Sequence, residues 1–146
     1  MRSIASTSVG LEALVATRWL AAAAAGVVVL GSWAVAAGAD VQRVWVLLAL
    51  APLAEEAVFR AGLQETLLRR WNAPALANAT TALAFGLAHA WMQGSAVAFG
   101  VAVPALLVGA VYGRWRRLRF CVALHAVLNA VWIGWAVIAP AKGLGF

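Results

Sequence analysis

The sequence predicts an all-α, polytopic membrane protein, a bundle of about five transmembrane helices around an intramembrane polar cavity. Three observations carry this prediction. Hydrophobic residues make up 65% of the 146 and the mean hydropathy is +0.91. Charged residues make up only 11%, with five acidic side chains in the chain, where a soluble domain carries about 25% charged residues. The apolar residues also fall into stretches near the roughly twenty needed to cross a hydrocarbon core. Such a chain cannot cover its own surface with polar groups in water, and in lipid it has no need to.

The first stretch runs from about Trp19 to Ala37 and stops at Gly38 and Asp40. The second runs from about Val44 to Leu68, is interrupted by Glu55, Glu56 and Arg60, and ends at Arg69 and Arg70. The third occupies about Ala75 to Trp91 and the fourth about Ala96 to Tyr112. The fifth begins after Arg119 and ends near Ala139 and Pro140. Segments that span lipid must satisfy their own backbone hydrogen bonds, so helices are expected throughout. Trp19, Trp45, Trp71, Trp91 and Trp115 fall close to the proposed ends, at headgroup level. No internal repeat or linker divides the chain, so residues 1–146 read as one integral membrane domain with its motif-bearing core at about 44–139. The Ala/Val-rich start lacks a small-x-small cleavage site before a polar sequence and reads as a retained first span.

The basic excess belongs to membrane orientation rather than to nucleic acid. With the N-terminus cytoplasmic, Arg2, Arg18, Arg69, Arg70, Arg114, Arg116, Arg117 and Arg119 lie inside, and Arg43 and Lys142 outside. That bias follows the positive-inside rule and predicts a multi-pass protein of a bacterial inner membrane, with its C-terminus outside. Cys121, the lone cysteine, excludes a disulfide framework and reads as a small buried hydrophobe.

Function is written in the polar residues that lie where they are expensive. A charge at a helix centre costs about 2.5 to 3.5 kcal/mol against lipid, so Glu55, Glu56 and Arg60 must face protein or water. Glu56 and Arg60 lie one turn apart on one face and can pair, whereas Glu55 points roughly 100° away from Glu56. The third span carries Phe85 and His89, and the fifth carries His125 and Asn129, each pair at i, i+4. His125 and Asn129 therefore project from one face and can donate to one ligand atom, while Phe85 fixes a ring by packing. Counted from the inner boundary at 1.5 Å per residue, Glu55 and Glu56 lie about 20 Å deep, Asn129 about 15 Å and His125 about 9 Å. His89 joins them if the segment from Asn72 to Asn78 is a loop or interfacial piece and its helix starts later. The pair Gly109 and Gly113 permits close helix approach, but small residues are common enough here for chance to produce it.

These three motifs, in this order on separate predicted helices across about Pro52 to Ala130, resemble the CPBP family of intramembrane proteases. That family includes type II CAAX endopeptidases and bacterial relatives linked to bacteriocin immunity and processing. The resemblance implies an intramembrane glutamic endopeptidase in which Glu55 activates a water, His89 assists, and His125 and Asn129 stabilise the oxyanion. Glu56 and Arg60 are supporting residues. It implies a membrane-associated protein or peptide as substrate, no cofactor and no metal. Relatives with additional spans leave a second copy or a partner to complete the groove. Two alternatives use the same residues: a non-enzymatic membrane interaction or immunity protein, and a metal-dependent protease with Glu55, Glu56, His89 and His125 as ligands. A proton-coupled carrier is disfavoured by the absence of inverted repeats.

Overall fold

The computed structural model describes residues 3–138, with side chains from residue 14 onward. Arg2, Lys142 and the expected end of the fifth span at Ala139 and Pro140 lie outside the described residues. Helix follows helix: α1 (Ser3–Ala36), α2 (residues 41–70), α3 (Pro74–Gln93), α4 (Ala96–Trp115, entered through 3-10 turns at Ala96–Val101) and α5 (Leu118–Ile138). No strand occurs among the described residues. Three segments, Leu14–Ala36, Ala96–Trp115 and Leu118–Ile138, are long and apolar enough to cross a membrane by length and composition. The other two expected spans are present as helices, but α2 carries Glu55, Glu56, Arg60, Gln64 and Glu65, and α3 carries Asn78, Thr80, Thr81 and His89.

Local chemistry sets the helix ends. Asp40 caps α2 by accepting from the Arg43 amide at 2.7 Å. Pro74 opens α3, where its missing N–H costs nothing. Gly94, at φ +60°, closes the same helix in the left-handed conformation that glycine adopts without strain.

Helix α2 is wound wide twice, as π-helix at Val46–Leu50 and at Ala57–Gln64. The first widening has a cause in Pro52. The Ala51 amide reaches back five residues to the Val46 carbonyl, which takes it away from Leu47, and Pro52 has no N–H to offer in its place. The Leu47 carbonyl is thereby left without a backbone donor.

Large side chains look outward and small or polar ones inward. Trp19, Trp45, Trp91 and Trp115 are all more than half exposed, as residues at the lipid interface should be. The buried contacts are made by Ala34, Val44, Leu48, Ala130 and Ile133 between α1, α2 and α5, and by Ala82, Phe85 and Ala105 between α3 and α4. Cys121 is fully buried with Val108 and Tyr112, as a small hydrophobe would be.

Polar side chains weld α2 and α3 to the backbone of α4. Gln64 Nε2 donates to the Gly109 carbonyl at 2.8 Å, Arg60 Nη2 to Ala105 at 3.1 Å and Asn78 Nδ2 to Leu106 at 3.0 Å. A Cβ on Gly109 would collide with Asn78 Oδ1 and lie 3.0 Å from Gln64 Oε1, whereas one on Gly113 would meet nothing. Only the first glycine of the sequence pair is therefore a packing requirement. Gly109→Ala is expected to cost about 1 to 3 kcal/mol by overpacking, seen as a lower thermal midpoint in detergent. Gly113→Ala should leave the midpoint where it is, and equal loss from both would show that the α4 contact is not as tight as described.

Candidate active site

The polar residues of three helices meet where α2, α3 and α5 come together. Helices α2 and α3 form an antiparallel hairpin. Glu55 lies 15 residues before Arg70, and His89 lies 15 residues after Pro74, so the two stand at one height. No late start of the third helix is needed. The structure corrects the expected loop at Asn72–Asn78: α3 begins at Pro74 and Asn78 lies within it.

His125 reaches the same level by a different route. It lies only seven residues into α5, but α2 overhangs the start of that helix. The overhang is pinned by Glu65, which accepts from Arg116 Nη1 and, at 3.1 Å, from Tyr112 Oη. Arg116 holds φ at +50°, an uncommon backbone for a residue with a Cβ.

At the centre lies a buried ion pair. Arg60 Nε donates to Glu56 Oε2 at 2.8 Å, and both residues are 0% exposed. The guanidinium continues to Gln64 Oε1 at 3.3 Å and to the Ala105 carbonyl, so most of its donors have acceptors. This satisfies the condition under which a desolvated pair is tolerable. Glu56 Oε1 meets His125 Nδ1 at 2.8 Å.

Glu55 differs in every respect. Its side chain is 27% exposed, yet Oε2 is a buried atom with no hydrogen-bond partner. Two imidazole nitrogens flank that oxygen, His125 Nε2 at 3.6 Å and His89 Nε2 at 3.9 Å, each beyond hydrogen-bond length. Phe85 lies among the rings, 4.4 Å from His89 and 5.9 Å from His125 between centroids, with Phe59 edge-on to it at 4.9 Å. Its expected part in fixing a ring by packing fits this placement.

Glu55, Glu56, Arg60, His89 and His125 are thus brought together. Asn129 is placed one turn further along α5, with Nδ2 donating to the Leu47 carbonyl at 2.8 Å. That is the carbonyl orphaned by Pro52, so one amide hydrogen of Asn129 already serves the fold, and its other hydrogen and Oδ1 remain.

Sequence reasoning missed Gln64, the contact between Glu56 and His125, and the anchoring pair of Glu65 and Arg116. Gln64 carried a readable signal, since it continues the i, i+4 series of Glu56 and Arg60. The other two contacts join residues 69 and 51 positions apart and had none.

Where a polar cavity is expected, the Glu55 and His89 side chains are partly exposed, at 27% and 22%. A groove of about 550 Å³ runs elsewhere, lined by Leu20, Val27, Leu48, Leu53, Val122 and Arg119 among others.

The model of the family described as type II CAAX prenyl endopeptidase Rce1-like matches residues 37–131, which include every residue of this cluster. Among curated proteins and solved structures nothing matches.

Proposed function

We propose, from the premise that this chain belongs to the Rce1-like family of type II CAAX prenyl endopeptidases, that it cleaves a prenylated, membrane-associated peptide with a water activated by Glu55. Membership makes the chain an integral membrane protease of the CAAX type acting on a membrane-associated peptide. The glutamate chemistry and the assignment of residues are our reading. The observation that carries it is the buried, unpartnered Oε2 of Glu55 between two imidazole nitrogens. A carboxylate whose oxygen has no donor is free to take a proton, and a water admitted to it would lie beside both rings.

In this reading Glu55 takes the water proton as the oxygen attacks the scissile carbonyl, and His89 helps to hold that water. His125 and Asn129 donate to the oxyanion, and the proton on Glu55 passes to the leaving amine. Glu56 and Arg60 support the site from below. The acting unit is a single integral membrane domain whose core lies at about 44–139, oriented with its arginine-rich end in the cytoplasm. In the topology described, Arg18, Arg69, Arg70, Arg114, Arg116, Arg117 and Arg119 all lie at one end of the bundle.

The test is cleavage of an internally quenched peptide that ends in a CAAX sequence, with and without a prenyl group, by protein reconstituted in liposomes. Cleavage confined to the prenylated peptide supports the reading. Intact peptide at all enzyme concentrations, from folded protein, refutes it. Asn129→Ala should lower turnover by about 10² through loss of an oxyanion donor. The same change strips the Leu47 carbonyl of its donor and should cost about 1 to 3 kcal/mol in stability, read from the thermal midpoint. Loss of substrate binding with an unchanged catalytic constant would assign Asn129 to recognition instead.

A metal-dependent protease has one observation in its favour, the convergence of two Nε2 atoms on one carboxylate oxygen. Against it, Glu56 is engaged by Arg60, whose guanidinium would repel a divalent cation at close range. Activity is therefore expected to survive prolonged chelation. Loss on chelation with recovery on added zinc, at near one metal per chain, would overturn the glutamate assignment and leave the protease in place.

A further inference from the structure

The proton inventory of the cluster assigns a role to Glu56 beyond pairing with Arg60. Resting on the reading of His125 as an oxyanion donor, we infer that Glu56 is the positioning residue of His125: it fixes a proton on Nδ1 and leaves Nε2 as the working nitrogen.

Acceptors decide where the protons lie. Arg60 Nε donates to Glu56 Oε2 at 2.8 Å, and both side chains are cut off from solvent. A carboxylate held against a guanidinium in this way is ionised and can only accept. The 2.8 Å contact between Glu56 Oε1 and His125 Nδ1 then requires the proton to be on the nitrogen. His89 is fixed by the same logic. Its Nδ1 lies 3.1 Å from the Phe85 carbonyl, which also only accepts, so Nδ1 is the donor there. Both rings therefore turn Nε2 towards Glu55 Oε2.

This placement constrains the chemistry. With Nδ1 occupied, neutral His125 presents a lone pair at Nε2 and would repel an oxyanion. The ring donates to the oxyanion only when it carries both protons, and Glu56 is then the adjacent counter-charge of that cation. During the reaction the water proton goes to Glu55 and the water oxygen bonds to the carbonyl carbon. The oxyanion accepts from Nε2–H, the C–N bond breaks, and Glu55 returns the proton to the amine nitrogen. His125 keeps both protons from start to finish. The ionisable groups against its ring are Glu55 and Glu56 of α2; Arg60 pairs with Glu56, His89 of α3 faces the same Glu55 oxygen, Cys121 stands one turn back on the same helix, and Tyr112 of α4 is engaged by Glu65.

The chain has two histidines, which makes the inference directly measurable. In 15N-histidine-labelled protein in lipid nanodiscs, with His89→Gln used for assignment, the His125 ring should show a directly bonded proton on Nδ1, shared with a carboxylate. A His125 ring with no proton on Nδ1 overturns the inference in the wild-type protein, with no variant needed. The double variant Glu56→Met with Arg60→Met removes both buried charges together, and its catalytic constant should fall by roughly 10² to 10⁴ with KM within about threefold. An undiminished catalytic constant in that variant also overturns it. Peptidase failure is distinguishable, because a protein that cleaves nothing but still shows Nδ1–H loses the protease reading and keeps the proton placement.

Discussion

Glu55→Gln is expected to reduce peptide hydrolysis by roughly 10² to 10⁴ while folded yield and thermal midpoint stay at the wild-type level. The two halves of this expectation have separate grounds. A glutamine amide is not a base, so in the proposed mechanism the water loses its proton acceptor. Yet the exchange breaks no hydrogen bond at Oε2, which has no partner and lies beyond bonding distance of both imidazole nitrogens, so glutamine can keep the same packing. The measurement is turnover in liposomes beside thermal unfolding in the same detergent batch. A variant that cleaves at the wild-type rate removes Glu55 from the chemistry. One that fails to fold would show that Glu55 is a structural member of the cluster, like Glu56.

Arg60→Ala should produce the opposite pattern, a protein that is recovered poorly or not at all. Glu56 would be left at 0% exposure without its counter-ion, which costs on the order of 3 to 5 kcal/mol when one partner of a buried pair is removed. The Ala105 carbonyl and Gln64 Oε1 would lose donors in the same step. Replacing both partners, as in Glu56→Met with Arg60→Met, removes the uncompensated charge and should recover most of the folded protein. Folded yield by size-exclusion chromatography reads both variants. Equal yield for wild type and Arg60→Ala would mean that water reaches Glu56 and that the pair is not buried as described.

The contrast between these two glutamates separates what is local from what is not. Helical geometry alone pairs Glu56 with Arg60 and leaves Glu55 aimed elsewhere, because the relation of i to i+4 is local and does not depend on the fold. The pairing of the motifs across helices is legible in the sequence only as a resemblance. Depth counting places His125 about 11 Å shallower than Glu55, since it takes all helices to end at one plane. In the structure α2 overhangs the start of α5, and Glu65 with Arg116 sets by how much.

What the sequence determined by itself is therefore the membrane environment, the five helices and the local pairs within them. Hydrophobicity and the cost of an unpaired backbone in lipid settle the first two, and 100° per residue settles the third. Tertiary structure decided the rest. It brought Glu55 between His89 and His125, set Glu56 against His125 Nδ1, and gave Asn129 to the carbonyl that Pro52 orphans. Each of these contacts joins residues 34 to 82 positions apart, and its geometry depends on how far one helix slides along another. That slide is fixed by side chains packed against a bare backbone, as Gln64 and Asn78 are against Gly109.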